Sequence, residues 1–333
     1  MRTWFYVALC LLCVALPAAA QDAPAYGLPE RDILRHPAPT LERLLTHDTI
    51  LYRGNYRQVI GALEIYDAPD GVLIDTQPEG TYFVTVYSFG ENGWVEINPG
   101  EWVREAQLAY ANTSRLTGAL LNDGTPYPAG WVTHVSRPSR VPGEASIAVD
   151  AAAVPYEFVY VYAEVTIGEM TWAQIGVERW IDRTHVSVIK PIERHADISG
   201  ERWVGVDLNE NVLIAYEGTT PVFAALVATG VRTESTQTDV GIHTVYARFV
   251  QGVMSNEPGV PWFYYIEDVP YTFYFNGHEA LHGAYWHDEF GRYRSHGCVN
   301  LTMTDAYWLY NWLSDGYDFL TADAARPMVW VYR

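Results

Sequence analysis

Cys298 sits in the densest cluster of chemically useful side chains in this 333-residue sequence. Between Gly277 and Asn300 the chain places His278, His282, His287 and His296, four of its ten histidines, around that sulfur. A thiol attacks a carbonyl as the thiolate, yet a free cysteine keeps its proton up to a pKa of about 8.5. One imidazole close in space can take that proton, store it and return it to a departing amine. Gly297, directly before the sulfur, frees the backbone to turn tightly, so the amides of Gly297 and Cys298 can point at a developing oxyanion. The residue types suit cysteine-dependent acyl transfer. His278, His282, His287, His296 and Cys298 are also zinc-ligand types in sufficient number. However, His278 and His282 are spaced for one helix face, and Gly277 and Gly283 disfavour a helix there. No metal site is expected.

The order His282 … Ser295-His296-Gly297-Cys298-Val299-Asn300 resembles the motif of the YkuD-type L,D-transpeptidases: a histidine, a variable gap, then Ser/Thr-His-Gly-Cys-x-Asn or Arg. The step of sixteen from His282 to Cys298 (298 − 282) lies within that family's usual range. Leu281-His282-Gly283-Ala284-Tyr285-Trp286 also resembles its way of presenting the base. The resemblance covers about residues 201–333. It implies Cys298 as nucleophile, His282 as proton acceptor and donor, and the Gly283 carbonyl as the group orienting the imidazole. It implies the amides of Gly297 and Cys298 as oxyanion donors, with Ser295, His296 and Asn300 shaping the loop. The reaction implied is a thioester formed from a peptidoglycan stem peptide, opened to a 3–3 cross-link or by another amine acceptor. No cofactor or metal is implied, and carbapenem-type β-lactams should acylate the same thiol. Water as acceptor would make the dyad an L,D-carboxypeptidase. A catalytically inactive cell-wall-binding protein would keep the fold without the reaction. One departure bears on the loop geometry: where the family has Thr-Pro-Thr-Gly, this chain has Thr236-Gln237-Thr238-Asp239-Val240-Gly241, without the proline and with a delayed glycine.

Strands must position these residues. Trp203–Leu208 alternates like an opening strand, Val212–Tyr216 returns after the polar turn Asn209-Glu210-Asn211, and Pro221–Val227 makes a third. Near the C-terminus Thr304 can cap a helix whose apolar face is Ala306, Leu309, Tyr310 and Leu313, ending at Gly316. Upstream, two stretches resemble each other. Trp94 and Trp102 are eight apart, as are Trp172 and Trp180, and Phe83–Tyr87 parallels Phe158–Tyr162. Gly61 with Pro69 and Gly130 with Pro138 recur at one spacing. The pattern predicts tandem small β-barrels over 47–118 and 119–197, loosely similar to bacterial Src-homology-3-type domains. The simpler reading of their tryptophans is barrel core; the other is a surface for cell-wall peptides. Residues 21–46, with Pro24, Pro29, Pro37 and Pro39, read as a linker with a short helix near Leu41–Leu45. Residues 198–333 are expected to form the catalytic unit. The expected class is mainly β, with one short helix in the catalytic unit.

Bulk properties limit the partners. The net charge is −19 and Lys190 is the sole lysine, so phosphate backbones would be repelled and nucleic acid is not expected. With 24 tyrosines and 12 tryptophans, strands are favoured over helical bundles. Arg2, the apolar run Trp4–Leu16 and Pro17-Ala18-Ala19-Ala20 read as a secretory signal peptide over residues 1–20. Export to the periplasm or cell envelope follows, with no stable membrane insertion after cleavage. Cys10 and Cys13 would leave with that segment, so Cys298 would be the only cysteine kept.

Overall fold

The computed structural model describes residues 26–122, 124–147, 150–256, 260, 263–315, 317–319 and 325–333. The expected leader, with Cys10 and Cys13, therefore lies outside the described residues, as do Pro24 and the expected helix stop at Gly316.

The architecture is mainly β. The catalytic unit opens with the meander β1 (Arg202–Asp207), β2 (Val212–Glu217) and β3 (Thr220–Leu226), then β4 (Ala228–Gly230), β5 (Gly241–Thr244) and β6 (Ala247–Ser255). It continues through β7 (Tyr264–Asn276), β8 (Glu279–Gly283), β9 (Arg292–Ser295), β10 (Val299–Leu301), helix α1 (Met303–Ser314) and β11 (Met328–Tyr332). The first sheet runs β5-β11-β1-β2-β3 and ends on the short strand Ala119–Leu120. β1 is wholly buried after its first residue, because this sheet is covered on both faces. Val204, Val206, Leu213, Phe223 and Val329 face the catalytic core. Trp203, Ile214, Tyr216 and Leu226 face Trp131 and Tyr160 of the second upstream module. Two covered faces turn the alternation expected of a half-exposed strand into a continuous apolar run.

The second sheet carries the site. Its order is β9-β4-β10-β8-β7, and it continues past β7 into the first upstream module through the strands Thr81–Thr85, Tyr56–Val59 and Leu108–Tyr110. β7 is long enough to serve both units. Its first residues pair in parallel with the module (Tyr264 with Thr81, Ile266 with Phe83), and its last pair with β8 (Phe273 with Leu281, Tyr274 with Ala280). At this junction Tyr56 stacks on Tyr285, ring centroids 3.8 Å apart, over Leu51, Phe83 and Ile266. The first module is thus an extension of the catalytic sheet.

The two upstream modules share a strand plan. In each, a central strand (Tyr56–Val59 or Ala129–Val132) pairs with one neighbour before and one after a hairpin, Trp94–Asn98 with Glu101–Arg104 or Met170–Gly176 with Arg179–Asp182. Each hairpin runs into a short 3-10 turn, Glu105–Gln107 or Arg183–His185. The tryptophan spacing follows this plan. The Gly/Pro spacing does not: Gly130 lies inside its central strand while Gly61 lies beyond the end of the other. Trp94 and Trp180 are buried, whereas Trp102 and Trp172 are half-buried.

Two local expectations are corrected. No helix forms at Leu41–Leu45; Arg43 instead makes an isolated bridge with Ala119, and the single-turn helices are Glu30–Ile33 and Asp48–Leu51. Backbone pairing across the seam outweighs a helical preference too short to nucleate by itself. α1 is capped by Thr302, whose hydroxyl accepts from the Asp305 N–H. Thr304 already lies inside the helix, with Ala306, Leu309 and Leu313 in the core as expected.

Candidate active site

Register brings the two key residues together. β8 and β10 pair in parallel, Leu281 opposite Val299 and His282 opposite Asn300. Side chains alternate along a strand, so Phe273, Phe275, Leu281, Val299 and Leu301 enter the core and the even-numbered residues take the other face. That face carries Tyr274, Ala280 and His282, and beside them Cys298 and Asn300. Cys298 immediately precedes β10, level with Ala280. A strand separation of about 4.8 Å and two residues of rise put the Cα atoms of His282 and Cys298 about 8 Å apart, with both side chains on one face.

Two contacts fix the imidazole. Its Nδ1 lies 3.1 Å from the Gly283 carbonyl, and its ring stacks on Trp286 at 5.5 Å. A carbonyl only accepts, so Nδ1 carries the proton and Nε2 keeps its lone pair. His282 is 2% exposed. Burial pulls its pKa down to about 4, opposed in part by the Gly283 carbonyl. At neutral pH the ring is an uncharged base.

Cys298 is half-buried, and its Sγ lies 3.6 Å from the His278 carbonyl. Although part of it meets solvent, packing on its other sides pushes the thiol up to about 12; the Glu279 carboxylate adds to this and the Ala280 N–H opposes it. The resting pair is therefore neutral thiol and neutral imidazole.

The loop before the sulfur is braced from within. Ser295 Oγ accepts from the Gly297 N–H (3.2 Å) and donates to the Cys298 carbonyl (2.5 Å). Gly297 has φ 120°, and a Cβ there would stand 3.0 Å from Glu279 Oε1; only glycine fits both demands. His296 is exposed and stacks on Tyr264. Asn300 is buried, its carboxamide 3.0 Å from His287 Nε2. The Glu289 N–H donates to His287 Nδ1 (3.2 Å), and Asn300 Nδ2 is the atom that lies beside Nε2, while Asn300 Oδ1 has no partner among the described residues. Burial holds His287 near pKa 3, with Arg294 and His282 adding to the shift. Both of its nitrogens are engaged. His278 is exposed and contributes its carbonyl.

The unusual turn is tied to the floor of the site. Thr238 Oγ1 accepts from the Gly230 N–H at 2.9 Å. The Asp239 N–H donates to Glu279 Oε1 at 3.0 Å, and Asn276 Nδ2 reaches both Asp239 Oδ2 (3.1 Å) and Glu279 Oε2 (3.0 Å). Burial raises the pKa of Glu279, while its two hydrogen bonds oppose that shift. Sequence reasoning passed over Glu279, and over Tyr264 and Tyr274, which lie near enough to Cys298 for its ionisation to oppose theirs. The only available signal was proximity to the motif, which does not say which way a side chain points. Glu279→Gln removes the charge beside the sulfur, so alkylation of Cys298 by iodoacetamide at pH 8 should accelerate by up to about tenfold for each unit the thiol pKa falls. An unchanged rate would show that the carboxylate does not reach the thiol.

Residues 201–327 match the family model of the YkuD L,D-transpeptidase catalytic domain. The C-terminal unit is a YkuD L,D-transpeptidase catalytic domain. Solved structures similar to this chain include a mutant of an Enterococcus faecium L,D-transpeptidase (17% identity, 40% of this chain and 50% of that one, TM-score 0.33). An L,D-transpeptidase of Stackebrandtia nassauensis shares 25% identity over 43% of this chain and 59% of that one, TM-score 0.30. One from Mycobacterium smegmatis shares 16% over 81% of this chain and 99% of that one, TM-score 0.34. The matched region thus spans about half the length of the first two chains. No curated protein matches. Among the described residues, no helix is long and apolar enough to cross a membrane.

Proposed function

We propose that this protein is an exported cysteine acyltransferase that acts on peptidoglycan stem peptides. Cys298 Sγ attacks the carbonyl joining the L-centre of a diamino acid to a terminal D-alanine, while its proton passes to His282 Nε2. The C–N bond then breaks, His282 gives that proton to the departing amine, and a thioester remains. The side-chain amine of a neighbouring stem opens the thioester; its proton passes through His282 back to the sulfur, leaving a 3–3 cross-link and free thiol. The observation that carries this reading is the imidazole: neutral, buried, Nδ1–H held by the Gly283 carbonyl, one strand from the only cysteine of the catalytic unit.

The Cys298 N–H and the Gly297 N–H are the proposed oxyanion donors. The Gly297 N–H rests on Ser295 Oγ, so it would exchange that acceptor for the developing anion. Export is read from the first twenty residues. Strand order and aromatic content support reading the upstream modules as Src-homology-3-like. The deciding experiment is mass spectrometry of products from a defined tetrapeptide, with and without an added amine acceptor. A cross-linked dimer supports transpeptidation, and tripeptide alone supports the L,D-carboxypeptidase reading. Unaltered tetrapeptide, together with an unmodified Cys298 after carbapenem treatment, would leave only the inactive cell-wall-binding reading.

A further inference from the structure

The strand leading into the catalytic loop also borders a cavity. A cleft of about 1020 Å³ opens between the second upstream module and the catalytic unit. On its catalytic wall stand Arg232, just after β4, and Arg292, the first residue of β9; these strands pair in parallel with Ala228 opposite Arg292. Both arginines are exposed. Each uses Nη2 on neutral oxygens: Arg232 on the Leu208 carbonyl (3.3 Å) and Asn209 Oδ1 (3.0 Å), Arg292 on the Thr133 carbonyl (3.1 Å). The Arg232 guanidinium also lies 4.4 Å from the centre of the Tyr293 ring, which limits its wandering. Among the described residues, the ion pairs of the chain leave both arginines without a carboxylate within 4.0 Å.

The module wall is different. Arg183 and Lys190 are spent on Glu210, which also receives the Val188 N–H at 2.9 Å. Glu169 and Asp182 line the cleft on the same wall. One side thus offers guanidinium forks suited to bidentate carboxylate binding, and the other offers acids. A polyanion would meet those acids and a net charge of −19. A neutral glycan would leave the forks unanswered.

We infer that this cleft binds a second peptide segment carrying both carboxylates and a free amine, with Arg232 and Arg292 taking the carboxylates and Glu169 and Asp182 facing the amine. Arg292 lies six positions before Cys298, at most about 20 Å of chain, so polymer held here lies beside polymer held at the thiol. The identity of the peptide rests on the acyl-transfer reading; the binding does not need a free Cys298.

The test is calorimetric titration of the full chain, with Cys298 alkylated by iodoacetamide, using the soluble tetrapeptide L-Ala–γ-D-Glu–diaminopimelate–D-Ala and its fully amidated analogue. Saturable binding of the acid form is expected, weakened at least about tenfold by amidation and by the double variant Arg232→Gln, Arg292→Gln. No saturable binding to the alkylated protein overturns the inference. So does equal affinity for the two probes, or equal affinity in a double variant that melts like the parent. The comparison of probes needs no variant and stands even if the double variant folds poorly. Carbapenem acylation of the unmodified chain is scored separately; its failure would sink the acyl-transfer reading and leave the binding result intact.

Discussion

Cys298→Ala is expected to abolish both covalent capture of a carbapenem and conversion of a tetrapeptide, while the protein melts within a few degrees of its parent. Acylation requires a nucleophile, and among the described residues Cys298 is the one free cysteine. Intact-mass analysis should show the adduct mass on the parent and none on the variant. Turnover should fall by at least about a thousandfold, the scale on which removing a nucleophile leaves only binding and oxyanion effects. Stability should barely change. The side chain is half-buried, its polar contacts are the His278 carbonyl at 3.6 Å and the Ala280 N–H, and the substitution removes a single sulfur atom, a change of small cost. Adduct formation at parental yield in the variant would mean that another group carries the acyl chain.

His282→Gln should come close to that loss, and it separates proton transfer from folding because it replaces the ring with a polar side chain of similar size. The reaction needs the neutral ring, whose pKa is held at about 4 by burial. In the parent, kcat/KM should hold from neutral pH down to about 5 and fall through pH 4, whereas an ordinary histidine would lose its base function near 6.5. An acid limb near 6.5 would count against His282 as the base. The same depression has a consequence for stability. Between about pH 6.5 and 4 the unfolded chain binds a proton at this position that the folded chain refuses, so this residue's contribution to stability rises with pH across that window. Removing the ring should flatten the parent's acid sensitivity by that amount. His287 is held lower still, near 3, and remains in the variant as an internal comparison. If His287→Ala proved more damaging to turnover than His282→Gln, the base would be misassigned.

Much of the catalytic unit was legible because its signals are local. The meander strands fell within a residue or two of their expected bounds, since apolar runs broken by Asn209-Glu210-Asn211 and Glu217-Gly218 punctuate the chain whatever surrounds them. Leu309 and Leu313 marked the buried side of α1 for the same reason. Misreadings came where a local preference met a distant partner. Arg43 gave up a helix for a bridge to Ala119. The helix cap moved to Thr302, because β10 ends at Leu301 and the chain must turn at once.

By itself the sequence determined the residue types that can do chemistry and their order: the Cys298 thiol, its neighbouring glycine, and an imidazole sixteen positions earlier. It also pointed to a mainly β chain, with two upstream stretches of similar residue pattern. Only the tertiary structure decided which side chains share a face. The parallel register of β8 against β10 turns His282 and Cys298 to one side and Leu281 and Val299 to the other, and a slip of one residue would reverse that choice. It also decided that the first module continues the catalytic sheet through Tyr264–Ile266 and that Glu279 lies under Gly297. Burial and pairing depend on residues far apart in the chain. The charge states of His282 and Cys298, which burial sets, are therefore absent from any local stretch of sequence.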